Sequence, residues 1–226
     1  MRPQLHAVVD VTSPDQAVAW SQVAYGAGMD GVFLISHAHD DDALVTALGL
    51  VRSAFPESFL GVNVIGRSPA ESLERLSAGS VAHHVDALWT DSAGRDIRDV
   101  EVRARAFAEA KAAASWHGVQ FGGVAFKYQP PVDRGTLAEL ATCAAQQVDV
   151  VTTSGSGTGI AIDLEKLATM RDALGTRPLA VASGVTAENV RDLRDRVQHI
   201  LVSTGIKGED GAFDVQRIEQ LRRATL

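Results

Sequence analysis

The chain has 226 residues, 46% of them hydrophobic and 22% charged, with a formal net charge of −7 at pH 7. That balance supplies one large core and excludes the basic footprint of a nucleic-acid binder. No apolar run approaches the roughly 18 residues of a membrane span. The N-terminal MRPQLHAVVDV lacks the apolar core of a signal peptide, and the single Cys143 has no partner for an intrachain disulfide. A reducing cytoplasm is the expected location. No linker or low-complexity segment divides the chain, so one domain over residues 1–226 is expected.

Residues 5–11 are a β-branched run and predict strand 1. Ser13, Pro14 and Gln16 then give a cap, a proline at the first helical position and a capping-box partner for a helix reaching about Tyr25. Strand 2 is GVFLIS, followed by a polar loop from His37 to Asp42 and a helix that turns Leu44, Leu48 and Val51 to the core. Residues 60–65 predict strand 3, with polar Asn63 among apolar neighbours, and Ser68, Pro69 and Glu71 repeat the cap signature. Strand 4 is 87–90, ending at Asp91. A long Ala-rich helix covers about 99–116, and strand 5, 120–126, delivers Lys127. The next helix spans about 136–145, and the last about 214–223.

Three short apolar runs at 148–151, 179–182 and 199–202 predict strands 6 to 8. Each ends in glycyl or hydroxylated residues: TTSGSGTG, SGVT and STG. Eight strand–helix units fill the length, which predicts an α/β fold of parallel strands with right-handed crossovers. The Gly-rich loops come last and the first turn, DVTS, has no Gly, so a single-domain (β/α)8 TIM barrel is favoured over a dinucleotide-binding sheet.

The run TTSGSGTG…DLEKL…PLAVASGVTAENV…ILVSTGIK, with the GVNVI strand before it, resembles the BtpA-like (BtpA/SgcQ) family. The likeness extends from about Gly31 and is most specific from Thr152 to Lys207. It implies a phosphate-binding TIM barrel, and the family's name suggests a biogenesis or assembly factor. The chain is more distantly similar to phosphoribosylanthranilate isomerase and related sugar-phosphate barrels. Asp10 or Val11 stands where that enzyme carries its catalytic Cys, which argues against that particular activity.

In such a barrel the chemistry gathers where strands end at the C-terminal face. The candidate catalytic residues are Asp10, Asn63, Asp91 and Lys127: two carboxylates to move protons, a lysine to meet a phosphate or carbonyl, and an amide to orient a hydroxyl. A salt bridge between Asp10 and Lys127 would satisfy both. The candidate phosphate ligands are Gly155, Ser156, Gly157, Ser183, Gly184, Thr204 and Gly205. His37, His39 and the Asp run after them are better explained as a polar loop and a helix first turn than as a metal site, so no metal or other cofactor is expected. The expected partner is a phosphorylated small molecule, acted on by isomerase- or lyase-type chemistry. The alternative is a non-catalytic assembly factor that keeps the phosphate cup. Trp20, Trp116 and the Ala-rich fourth helix are candidates for a homo-oligomer interface.

Overall fold

The computed structural model describes residues 2–226. The strands are β1 (Gln4–Asp10), β2 (Gly31–Ile35), β3 (Leu60–Asn63), β4 (Ala87–Thr90), β5 (Val119–Gly123), β6 (Val150–Thr153), β7 (Leu179–Ala182) and β8 (His199–Val202). The helices are α1 (Pro14–Gly26), α2 (Asp41–Ala54), α3 (Pro69–Ala78), α4 (Ile97–Ala114), α5 (Arg134–Gln147), α6 (Leu164–Leu174), α7 (Val190–Leu193) and α8 (Val215–Ala224). All eight strands pair in parallel and in chain order, and β1 closes on β8 through Gln4 with His199 and Leu5 with Ile200. The expected (β/α)8 TIM barrel is what forms. No described helix is long and apolar enough to cross a membrane.

Alternation along each strand builds two apolar regions. Outward residues such as Leu5, Leu34, Leu88 and Val181 pack under the helices in the larger cluster. Inward residues Val8, Phe33, Ile35, Trp89, Phe121, Ala182 and Leu201 fill the barrel. Phe33 and Phe121 are fully buried and meet edge-on, 5.2 Å between centroids. Gly61 makes room for them, since a Cβ there would stand 2.3 Å from the Phe33 ring. The same alternation turns Asp10, Asn63 and Asp91 towards the C-terminal mouth. At the opposite end His6 Nε2 lies 3.1 Å from His199 Nδ1. Burial lowers the two imidazoles to pKa values of about 3 and about 4, so both are neutral at pH 7.

Several expected boundaries move. β5 stops at Gly123, because Ala125 takes φ +47° and turns the chain out of the sheet. Lys127 therefore rides on a loop, not on a strand end. β6 spans Val150–Thr153, two residues later than expected. Ten residues then separate it from α6, so no helix starts directly after that Gly-rich loop. α7 is a single turn. Gln16 does not close a box on Ser13; its Oε1 accepts the Thr12 N–H instead, at 3.2 Å. Trp116 is buried, with its Nε1–H donating to the Val85 carbonyl at 3.0 Å, so it is no interface residue.

Truncating Phe33 to Ala leaves a hole at the centre of the barrel. We expect Phe33→Ala to lose about 3–5 kcal/mol, measured as a lower midpoint in equilibrium urea unfolding.

Candidate functional site

The C-terminal mouth holds a cavity of about 340 Å³. Asp10 and His37 line it from β1 and the end of β2, Trp89 from β4, Ser183 and Gly184 after β7, and Ser203, Thr204, Gly205 and Lys207 after β8. Lys127 and Thr158 lean in from the loops after β5 and β6. Two lysines, several hydroxyl residues and one carboxylate thus line a single space.

The expected Asp10–Lys127 salt bridge does not form. Asp10 Oδ1 instead accepts the His37 backbone N–H at 3.0 Å and lies 3.0 Å from His37 Nδ1. The two strands are neighbours, with Asp10 paired to Ile35, so His37 lies just past its partner. A carboxylate on Nδ1 fixes that ring orientation and leaves Nε2 for a ligand. Lys127 Nζ lies 3.4 Å from Thr158 Oγ1, and its backbone N–H donates to Ser154 Oγ at 2.8 Å.

Asn63 and Asp91 form a pair on the β3–β4 side, with Asn63 Nδ2 donating to Asp91 Oδ1 at 2.9 Å. Asn63 is 1% exposed. Burial raises the Asp91 pKa; the bond from Asn63 and the charges of Lys127 and His37 oppose that rise. Lys127 is therefore within electrostatic reach of Asp91. The pair stands beside the cavity and does not line it. Gly123 lets β5 pass close behind, since a Cβ there would stand 2.1 Å from the Asp91 carbonyl oxygen.

The seven candidate phosphate residues divide. Gly184, Thr204 and Gly205 line the mouth with Ser183. Among the described residues the Gly184 N–H meets no backbone or side-chain acceptor. The Ser183 hydroxyl is already engaged, accepting the Gly159 N–H at 3.1 Å and donating to the Gly157 carbonyl at 3.0 Å. It braces the β6 loop against the β7 loop from a left-handed backbone at φ +93°. Gly155 and Ser156 line a separate cavity outside the barrel mouth. Gly184, at φ +66°, is also a packing glycine: a Cβ would stand 2.2 Å from the Ile160 carbonyl oxygen.

Sequence reasoning puts His37 among the strand ends but weighs its chemistry only as that of a metal ligand, and it misses Trp89 and Lys207 as mouth residues. Trp89 is signalled by alternation, being two residues before Asp91, and its buried indole N–H has no protein acceptor among the described residues. Lys207 follows β8 by five residues, and its ammonium sits 4.9 Å from the centroid of the Trp20 ring.

No protein-family model matches the sequence, and no curated protein matches it. The BtpA-like resemblance therefore rests on the quoted motifs alone. Solved structures do share the fold. Orotidine 5'-monophosphate decarboxylase from Methanocaldococcus jannaschii, complexed with the inhibitor BMP, aligns with a TM-score of 0.70 and 11% identity, covering 100% of this chain and 99% of that one. Phosphoribosyl anthranilate isomerase from Thermus thermophilus aligns at 0.64 and 13%, covering 98% of this chain and 97% of that one. KGPDC from Streptococcus mutans aligns at 0.64 and 11%, covering 98% of this chain and 97% of that one.

The raised pKa of Asp91 has a sign that can be read in stability. An acid that is harder to ionise in the folded state costs nothing below its unfolded pKa and costs progressively more as pH rises through and above it. Asn at this position has no such cost, and its Oδ1 can still accept from Asn63. We expect Asp91→Asn to gain stability relative to the parent between pH 3.5 and pH 7, measured by urea unfolding at both. An equal difference at the two pH values would contradict the raised pKa.

Proposed function

We propose that this barrel is an enzyme acting on a phosphorylated small molecule, a sugar phosphate or phosphoribosyl compound, by isomerase- or lyase-type chemistry. The observation that carries the proposal is the convergence of Lys127, Lys207, Gly184, Thr204 and Gly205 on one mouth cavity beside a carboxylate-oriented imidazole. The two ammonium groups supply charge for a phosphate dianion, and the backbone at Gly184 supplies a donor. The volume lies within the range of small-molecule sites.

In this reading the phosphate anchors the ligand on the β7–β8 side, which places its carbon skeleton over Trp89 and Leu201. His37, held by Asp10, moves a proton at the reacting carbon or oxygen. Lys127 stabilises negative charge developing on a carbonyl oxygen. Asp91, kept from easy ionisation by burial and oriented by Asn63, is the second proton-transfer group, reached when the ligand fills the β3–β4 side. Gly155, Ser156 and Gly157 shape the loop that carries Thr158 and do not touch the phosphate. The likeness to barrels that handle phosphoribosyl compounds supports the same class of ligand at the level of fold.

A second reading keeps a specific observation in its favour. Asp91 and Asn63 are bonded to each other beside the cavity, as they would be in a barrel that binds a phosphorylated ligand without turning it over. That reading matches the assembly role suggested by the BtpA-like resemblance.

Thermal unfolding in the presence of ribose 5-phosphate, ribose and inorganic phosphate tests binding. At a hundred times Kd a ligand adds about 2.7 kcal/mol, or roughly 5–10 °C in Tm for a chain of this size. We expect a rise with the sugar phosphate, none with ribose, and a much smaller rise in Lys207→Met. No shift with any phosphorylated compound would overturn both readings. Once a substrate is found, His37→Gln is expected to lower kcat about 10²–10⁴-fold with little change in KM. Binding without turnover in the parent protein favours the second reading.

A further inference from the structure

A larger cavity, of about 650 Å³, lies outside the mouth between the loops after β5 and β6. Phe126, Pro130, Pro131, Val132 and Leu137 give it apolar walls, and Lys166 of α6 reaches into it. The Lys166 Nζ donates to the Ala125 carbonyl and, at 2.9 Å, to the Ser154 carbonyl. Two of its three donors are thereby used and one remains. Neither neighbouring acid forms an ion pair with Lys166, although the Asp163 charge partly offsets the effect of burial. Asp163 Oδ1 accepts the Glu165 N–H at 2.8 Å, capping α6, and Glu165 pairs with Arg134. A partly buried ammonium without a carboxylate partner is costly unless an anion joins it.

We propose that this outer cavity is a second ligand site, taking a monocarboxylate with an apolar body whose carboxylate meets the Lys166 ammonium. The apolar walls call for an apolar body. Lys166 is the one partly buried cation of the cavity; Arg134 also lines it but is exposed and paired with Glu165, and Asp163 adds a further acid, so the lining suits one negative charge and opposes a phosphate dianion. Lys166 keeps its charge at pH 7, since burial lowers it only to about 8. The site is separated from the mouth by the segment carrying Phe126, Lys127 and Tyr128, whose two faces belong to the two cavities. The inference goes beyond the phosphate reading and stands without it.

Isothermal titration of the full chain with benzoate and octanoate, and with benzamide and octanamide as neutral controls, tests the site. We expect one equivalent of carboxylate to bind, the amides to bind about tenfold more weakly or not at all, and inorganic phosphate not to compete. Binding is lost in Lys166→Met and in Val132→Trp, which fills the cavity from its surface side, and kept in Lys207→Met. Should Lys166→Met fail to fold, Val132→Trp and the amide controls decide. Absence of carboxylate binding, equal binding of acid and amide, binding unchanged in Val132→Trp, or competition by inorganic phosphate would overturn the proposal.

Discussion

The pairing of β1 with β8 is the constraint on which the rest depends. It closes the sheet, and closure sorts every strand residue into one of two environments: under the helices or inside the barrel. Side chains that alternate inward at the C-terminal strand ends have no space left but the mouth. Asn63 and Asp91 are therefore brought together by register and not by proximity in sequence, as are Asp10 and His37. Phe33, Phe121 and Trp89 fill the barrel beneath them, so the mouth has a packed apolar floor beside which polar groups act at more than their strength in water.

Above that floor the loops are held by one another. Ser183 ties the β6 loop to the β7 loop, and Gly184 and Gly155 let the backbone at Ile160 pass at close range. Lys166 fastens the β5 loop to the end of β6 through the carbonyls of Ala125 and Ser154. Gln129 completes the arrangement, its Nε2 donating to the Asp91 carbonyl at 2.8 Å. Left-handed backbone at Ala125, Tyr128 and Ser183 is stabilised by these ties. The position of Lys127 at the mouth is thus set in part by Ser154, Gln129 and Lys166, none of which lines the mouth cavity.

Strand order and barrel closure were legible because each strand is a short apolar run punctuated by Gly, Asp or Ser, and because the caps at Ser13 and Ser68 mark helix starts. Asp10, Asn63 and Asp91 were legible as strand ends. The partner of Asp10 was not: His37 lies 27 residues away, and only the β1–β2 register shows that the two adjoin. The phosphate loops read as three equivalent turns because their compositions match. They differ in length, and the ten-residue excursion after Thr153 carries Gly155 and Ser156 to the far side of the β5 loop. The inward turn of Lys166 was not legible, since nothing in an amphipathic helix distinguishes a lysine that folds inward onto carbonyls from one in solvent.

The most direct measurement is a crystal structure of the protein grown with ribose 5-phosphate. Phosphate bound at Gly184 and Gly205, within hydrogen-bonding reach of Lys127 or Lys207, with the sugar over Trp89 and facing His37, is the expected result. Phosphate seated in the outer cavity, or a sugar phosphate that turns its carbon chain away from His37 and Asp91 into solvent, would contradict it.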